Sequence, residues 1–382
     1  MSLIYLVAGE ASGDVLGGRL MAALRRARPD LEFAGVGGPH MAEQGLASLF
    51  PLADLAVMGI AEVLPRLRLL RRRLADVGAD LARRRPALVV TIDSPGFMHR
   101  VLRQAAALGI RRVHYVAPQV WAWREGRVRH FPGLWDRLLC LLPFEPAWFA
   151  ERGLEARFVG HPVLESGADR GDAGRFRALH GLAPDRPCLV LMPGSRRSEA
   201  PRLLPVFGDA VARLARALPG IAPVLPVSPA VAELVRRAAS GWAVPPIVTE
   251  TVTAKHDAYA AAGAALTKSG TSTLELALAG APMAVTYRVN PLTAMAARRM
   301  IRVPHVAMVN LLAGRALVPE LLQEDCTGQR LAGTVEALLG DPGRAAAQRS
   351  GFTEALARLR APGGLAPSEA AAREVLEVLD QP

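Results

Sequence analysis

Two glycine-containing turns in the second half of the chain have the composition to hold a phosphate. The first, Pro193-Gly194-Ser195-Arg196, follows the apolar run Leu189 to Met192 and precedes a segment that turns helical from Glu199. Backbone N–H groups at a glycine turn and helix start attract anions, and Arg196 adds a two-pronged donor. The second, Thr267-Lys268-Ser269-Gly270-Thr271-Ser272, again joins an apolar run to a helix. Its small hydroxyl residues and glycine leave N–H groups pointing where a diphosphate can rest. A helix cap explains either loop alone, but two in one half point to a nucleotide diphosphate. Glu275, one turn into the following helix, either accepts hydrogen bonds from ribose hydroxyls or is a solvated helix glutamate. No D-x-D pair or His/Asp/Glu cluster with metal-ligand spacing stands near these loops. The expectation is therefore no metal and no cofactor, with the leaving charge met by helix ends and Arg196.

The first half carries three more strand-end loops. Gly9-Glu10-Ala11-Ser12-Gly13-Asp14 precedes a helix expected from Val15. It lacks the G-x-G-x-x-G order of a dinucleotide site, which leaves a tight turn with Ser12 as helix cap or a glycine loop that lets an acceptor approach the backbone. Thr91-Ile92-Asp93-Ser94-Pro95-Gly96-Phe97 delivers a carboxylate to the tip of a buried strand. Asp93 is then an N-cap for a helix starting near Phe97, or a general base for an attacking hydroxyl. His114 to Arg124 is dense in aromatic and polar groups, and Trp121 and Trp123 read as core packing or as a wall of the binding cleft.

The elements that must position these loops alternate along the chain. Strand-like runs at Leu3 to Ala8, Leu31 to Val36, Ala87 to Ile92, Arg112 to Ala117 and Arg137 to Leu142 are separated by helical patterns. A second series covers Cys188 to Met192, Ala222 to Pro226, Pro246 to Thr249, Ala264 to Thr267 and Met283 to Thr286. Short buried strands between helices mean parallel β-α-β units. The expected fold is α/β, two Rossmann-like domains facing each other across a cleft, with ligands beyond the C-terminal strand ends. Residues 1–165 form the first domain, the glycine-rich stretch Glu165 to Gly174 the linker, and residues 174–360 the second. After Leu317 the pattern reads as helical throughout, and a terminal helix within 361–382 is expected to pack back on the first domain.

At 382 residues and 51% hydrophobic content the chain has material for two cores. No apolar run reaches the ~18 to 20 residues of a membrane span, and the start does not read as a signal peptide. Cys140, Cys188 and Cys326 offer neither a disulfide framework nor a zinc spacing, which suits a cytoplasmic setting. The formal charge of +11 is spread over many segments with no compact basic stripe. Anionic small molecules or lipid surfaces fit that distribution better than nucleic acid.

Read together, these residues resemble the bacterial lipid-A-disaccharide synthases, inverting glycosyltransferases of the GT-B fold. The match is carried in order by Val7 to Asp14, Ala56-Val57-Met58-Gly59-Ile60, Ile92-Asp93-Ser94-Pro95, Val120-Trp121-Ala122-Trp123-Arg124, Leu142-Pro143-Phe144-Glu145, Pro193-Gly194-Ser195-Arg196 and Asn310 to Arg315. The resemblance implies a UDP-linked 2,3-diacylglucosamine as donor and 2,3-diacylglucosamine 1-phosphate as acceptor, giving a β-1,6-linked disaccharide phosphate and UDP. It further implies that Asp93 is the base, Arg196 the diphosphate arginine and Asn310 a UDP contact. Ser269, Gly270, Thr271 and Glu275 fall in its nucleotide loop and helix. Arg196 is followed by a second arginine; Arg196 is favoured because it lies in the turn itself.

Amphiphilic substrates direct attention to residues 60–74. Ile60, Val63, Leu64, Leu67, Leu70 and Leu74 recur at helical spacing among Arg66, Arg68, Arg71, Arg72 and Arg73. A basic amphipathic helix lies at an anionic membrane surface, although the same stripe also serves a helix packed on a sheet. Pro65 fits only a first helical turn. The family's dependence on a hydrophobic patch here favours membrane contact, and hence a cytoplasmic protein peripheral to the inner membrane; a homodimer stays open. The rival readings are a UDP-N-acetylglucosamine 2-epimerase or other GT-B enzyme with the same nucleotide cradle, and a non-catalytic nucleotide-sugar or lipid-binding protein.

Overall fold

A computed structural model describes residues 2–55, 60–123, 125–194, 199–290, 294–295 and 303–381, with backbone alone at 60–64. The chain divides into two compact units, Met1–Pro162 with Leu359–Pro382, and Val163–Arg358.

In the first unit, β1 (Leu3–Ala8), β2 (Glu32–Val36), β3 (Leu88–Ile92), β4 (Arg111–Tyr115), β5 (Arg137–Cys140) and β6 (Ala156–Phe158) form a parallel sheet in the order β2-β1-β3-β4-β5-β6. Strands β1 and β3 are apolar at nearly every position because helices cover both faces, and Leu88–Ile92 is buried throughout. One face packs on the helices Ala11–Ala27 and Pro367–Leu379, through Leu20, Leu24, Val375 and Val378. The other packs on Ile60–Arg84 and Pro95–Ala107, through Val77, Leu81, Met98 and Val101. The terminal helix is further tied down by Arg111, which donates to the carbonyls of Val378 and Leu379 at 3.2 and 3.0 Å, and by ion pairs Arg28–Asp380 and Arg137–Glu374.

In the second unit, β7 (Cys188–Met192), β8 (Ala222–Pro226), β9 (Ile247–Thr249), β10 (Ala262–Lys268), β11 (Met283–Tyr287) and β12 (Glu320–Leu322) make a parallel sheet in the order β12-β11-β10-β7-β8-β9. Its core joins Leu189, Leu191 and Leu266 to Phe207, Val211 and Val335 from the flanking helices Ala200–Ala217 and Gly328–Gly340.

Several expectations need correction. Strands β6 and β12 are three-residue edge strands, too short to show a period, so the segment after Leu317 is not helical throughout. The stretch Glu165 to Gly174 is not a loose linker. Asp172 caps the helix Ala173–Leu179 through the Arg175 N–H at 2.9 Å, and Gly171 lies so close to the His256 carbonyl that a Cβ would come within 2.0 Å. The helix expected at Val15 begins at Ala11, and that expected near Phe97 begins at Pro95. Pro65 lies inside the helix Ile60–Arg84, one residue beyond its first five.

Candidate functional site

Each sheet has a point where the strand order reverses. In the first unit the chain runs from β1 outward to β2 and then returns to β3, so the reversal lies between β1 and β3. In the second it runs from β7 to β8 and β9 and returns to β10. The loops leaving such strand pairs diverge and open a crevice at their C-terminal ends. The loops there are Gly9 to Gly13 and Asp93 to Gly96 in one unit, and Pro193-Gly194 and Ser269 to Ser272 in the other.

In the second unit, Gly194 has φ +107, and an added Cβ would stand 2.8 Å from the Glu199 carboxylate. Only glycine fits so tight a left-handed turn. Glu199 precedes the helix Ala200–Ala217 and accepts from Lys268 Nζ at 2.8 Å, joining the two loops by a partly buried ion pair. Ser195 and Arg196, with the Arg196 versus Arg197 choice, lie outside the described residues. Across the crevice, Ser269 Oγ donates to the Val306 carbonyl at 2.8 Å, Ser272 Oγ lies 3.0 Å from Thr267 Oγ1, and Thr273 Oγ1 donates to the Gly270 carbonyl at 2.7 Å. Gly270 and Thr271 are exposed, with open space where a Gly270 Cβ would be. Glu275 is no solvated helix residue. Its carboxylate receives Lys255 Nζ at 3.0 and 3.2 Å and the buried Tyr259 hydroxyl at 3.2 Å.

Asn310 occupies a different position from the one expected of a ligand contact. It is fully buried. Its Nδ2 donates to the Val318 carbonyl at 2.9 Å and to Glu320 at 2.8 Å, and its Oδ1 accepts from the Leu317 and Val318 N–H groups at 2.8 Å each. Two donors and two acceptor sites are all a side-chain amide has. Asn310 therefore holds the segment 317–320 in place. Glu320 continues the network, accepting from the backbone N–H groups of Val306 and Ala307 at the start of the helix Met308–Ala313.

In the first unit, Asp93 and Ser94 have φ of +55 and +42, two consecutive non-glycine residues in left-handed backbone. Asp93 is half-buried, its carboxylate accepting from the Ser94 N–H at 2.7 Å, while Ser94 precedes the helix. Asp93 is thus not the helix cap. Gly9 is required because Ser94 packs on it: a Cβ there would meet Ser94 Cβ at 2.3 Å. Ser12 is exposed inside the helix and donates to Glu10 at 2.6 Å, so it caps nothing, and Gly13 is buried against Ala8 and the Ile92 carbonyl. Asp14, not singled out by the sequence, is buried and accepts from the N–H groups of Gly38, His40 and Met41 at 2.7, 3.0 and 3.1 Å, which anchors the loop after β2.

Trp121 and Trp123 part company. Trp121 packs edge-on against Phe144 with centroids 4.8 Å apart and donates to buried Glu145 at 3.0 Å, whereas Trp123 is exposed. Burial pushes the Glu145 carboxyl up to about 7, against the pull of Trp121 and the Leu141 and Leu142 N–H groups. Of the apolar stripe at 60–74, the side chains of Ile60, Val63 and Leu64 lie outside the described residues. Leu67 is exposed, but Leu70 and Leu74 pack on the core with Val77 and Leu81, so the stripe is divided between sheet and surface. Among the described residues no group of three His, Cys, Asp or Glu side chains is gathered to hold a metal.

The family model described as lipid-A-disaccharide synthetase matches residues 4–364. The chain belongs to this family. It is 60% identical over 380 residues to the lipid-A-disaccharide synthase of Gluconobacter oxydans, covering 100% of this chain and 91% of that one. Membership makes the chain a glycosyltransferase of two-domain α/β, GT-B architecture. The same fold appears in a UDP-GlcNAc 2-epimerase from Neisseria meningitidis bound to UDP-GlcNAc, with a TM-score of 0.65 at 12% identity over 99% of both chains. It appears again in the calicheamicin glycosyltransferase, with a TM-score of 0.60 at 18% identity over 100% of this chain and 99% of that one. For a lipid-A-disaccharide synthase family member, the strand-end loops were legible because glycine, proline and hydroxyl residues mark them. Lys255, Glu199 and Glu320 were not, because a lone charged residue on a helix or edge strand carries no local sign of its partner.

Proposed function

We propose that the chain joins a UDP-linked 2,3-diacylglucosamine to 2,3-diacylglucosamine 1-phosphate, yielding the β-1,6-linked disaccharide 1-phosphate and UDP. The reading is carried by identity with a lipid-A-disaccharide synthase across the whole chain. In this reaction Asp93 accepts the proton of the acceptor's 6-hydroxyl as that oxygen bonds to the donor's anomeric carbon. The bond from that carbon to the UDP oxygen breaks with its electrons, and a single displacement inverts the centre. The first unit is the acceptor domain, where Gly9, Ser12 and Gly13 line the approach to Asp93. The second is the UDP-sugar domain. Gly194, Ser195, Arg196 and the loop Ser269, Gly270, Thr271 and Ser272 receive the diphosphate, and Glu275, oriented by Lys255 and Tyr259, receives the ribose. Asn310 acts by fixing the segment 317–320. No metal or cofactor takes part. The enzyme works in the cytoplasm at the inner-membrane surface, which the apolar patch of Ile60, Val63, Leu64 and Leu67 and the neighbouring arginines approach.

The test is UDP release by purified protein given both acylated substrates in the presence of a chelator. Release that requires the acceptor and survives chelation is the expected result. Conversion of the donor without acceptor would point to epimerase-type chemistry, and UDP binding with no turnover to a binding protein.

A further inference from the structure

Beside the Asp93 loop the first unit contains a cavity of about 240 Å³ that the reaction as described leaves unused. It opens at the first turn of the helix Pro95–Ala107, and Gly96, His99, Arg100, Arg103, Arg127 and His130 line it. No carboxylate is among its lining residues. The volume falls below the ~300 Å³ at which small-molecule sites usually begin, so it suits a headgroup rather than a whole acylated sugar.

Four independent features give this cavity the character of an anion site. Three arginines and His130 converge on it from two segments far apart in sequence, the helix after β3 and the turn Glu125–His130. The helix is 13 residues long and presents its positive end there. Gly96 leaves room, since a Cβ at that position would meet nothing within 4 Å. His99 is only 8% exposed, yet its Nε2 has no hydrogen-bond partner. A buried polar atom left unpaired costs about 1–3 kcal/mol. Burial and the charges of Arg127, Arg103 and Arg100 hold the His99 imidazole down at about 4, so it is neutral amid fixed positive charge. The nearest acids in sequence are otherwise engaged: Asp93 accepts from the Ser94 N–H, and Glu125 pairs with Arg152.

The geometry points to a phosphomonoester site that seats the acceptor's anomeric phosphate, holding the sugar so that its 6-hydroxyl lies at Asp93. This rests on the reaction proposed above. The 1-phosphate and the 6-hydroxymethyl group are borne by C1 and C5, the two carbons that flank the ring oxygen of one pyranose, so both lie within a single sugar's reach, and the cavity begins two residues beyond Asp93. Arginine forks match the paired oxygens of a phosphate. The other source of the same chemistry is the headgroup of an anionic phospholipid.

The experiment compares the wild-type full chain with Arg103→Gln and Arg127→Gln, both at exposed positions, after melting curves establish folding. Phosphorus NMR of glucosamine 1-phosphate should show saturable line broadening with the wild type and little with either variant. Steady-state kinetics should show the KM for the phosphorylated acceptor raised tenfold or more, so that its advantage over a 1-dephosphorylated acceptor collapses. No broadening with the wild type, or equal losses with both acceptors, would overturn the proposal. So would loss of flotation on phosphatidylglycerol vesicles with the acceptor preference intact, which would assign the cavity to a bilayer headgroup. If the wild type turns over neither acceptor, the reaction reading fails, and the NMR arm still decides the cavity.

Discussion

At the scale of single residues, Asp93 and Ser94 sit in backbone that non-glycine residues adopt at a cost of about 1–3 kcal/mol each. The β3 register, the Asp93 N–H bond to the Tyr115 carbonyl at 2.9 Å and the packing of Ser94 on Gly9 hold them there. Asparagine tolerates left-handed backbone, so Asp93→Asn should fold while losing the base. Its kcat is expected to fall by roughly 10²- to 10⁴-fold with donor KM little changed. An equal loss of UDP affinity would mean that Asp93 only shapes the loop. Asn310 makes the opposite case. Asn310→Ala strands the buried N–H and carbonyl of Val318 and removes a donor from Glu320, and should cost about 3 kcal/mol in urea unfolding. Weaker UDP binding at undiminished stability would instead restore it as a direct contact. The sequence marked both residues as candidates, but only the hydrogen bonds of the folded chain reveal that the Asn310 amide is already saturated.

Among the elements, the helix Ile60–Arg84 shows why one apolar stripe admits two uses. Its later turns place Leu70, Leu74, Val77 and Leu81 on the sheet, whereas Leu67 projects among the exposed Arg66, Arg68, Arg71 and Arg72. Leu67→Asp should weaken flotation on anionic vesicles several-fold without moving Tm, because Leu67 leaves no core contact behind. Leu74→Asp should lower Tm sharply, since a packed leucine is worth about 1.5–3 kcal/mol and a buried carboxylate adds its own cost. Equal effects of both on Tm would make the whole stripe structural. Strands β1, β3 and β7 were legible because burial on both faces leaves long apolar runs. Strands β6 and β12 were not, because three residues at a sheet edge owe their conformation to a neighbour rather than to their own pattern.

At the scale of the whole chain, the terminal helix belongs to a unit whose other residues end some 200 positions earlier. Removing residues 361–382 would expose the face lined by Leu20, Leu24, Val113 and Leu139. The first unit should then lose cooperative unfolding, while the second keeps its own. Tryptophan fluorescence can tell them apart, since Trp121, Trp123, Trp135 and Trp148 lie in the first unit and Trp242 in the second. The same probe reads an acid sensitivity. Burial holds His99, His114 and His161, all in the first unit, at about 4, 3 and 4. Unfolding lets each bind a proton below its ordinary pKa near 6.5, so the unfolded state gains protons and stability falls as pH drops from 6.5 toward 4. At pH 5 the loss is about 2 kcal/mol for each histidine. Tryptophan-detected Tm should therefore fall more steeply between pH 7 and 5 than in His114→Phe, and parallel slopes would refute it.

The sequence by itself determined the two runs of parallel β-α-β units, the glycine and proline turns at their strand ends, and the family, because these depend on local pattern and on strings of residues read in order. Tertiary structure alone decided what each charged or amide side chain faces. Asp14 reaches across to the loop after β2, Glu275 is clamped by Lys255 from another helix, and Asn310 is saturated by a segment seven residues on. It also set Arg127 from one turn beside Arg103 from one helix to line a single cavity. Such partnerships depend on distances between side chains that meet only when the sheets have formed, and no local spacing along the chain encodes them.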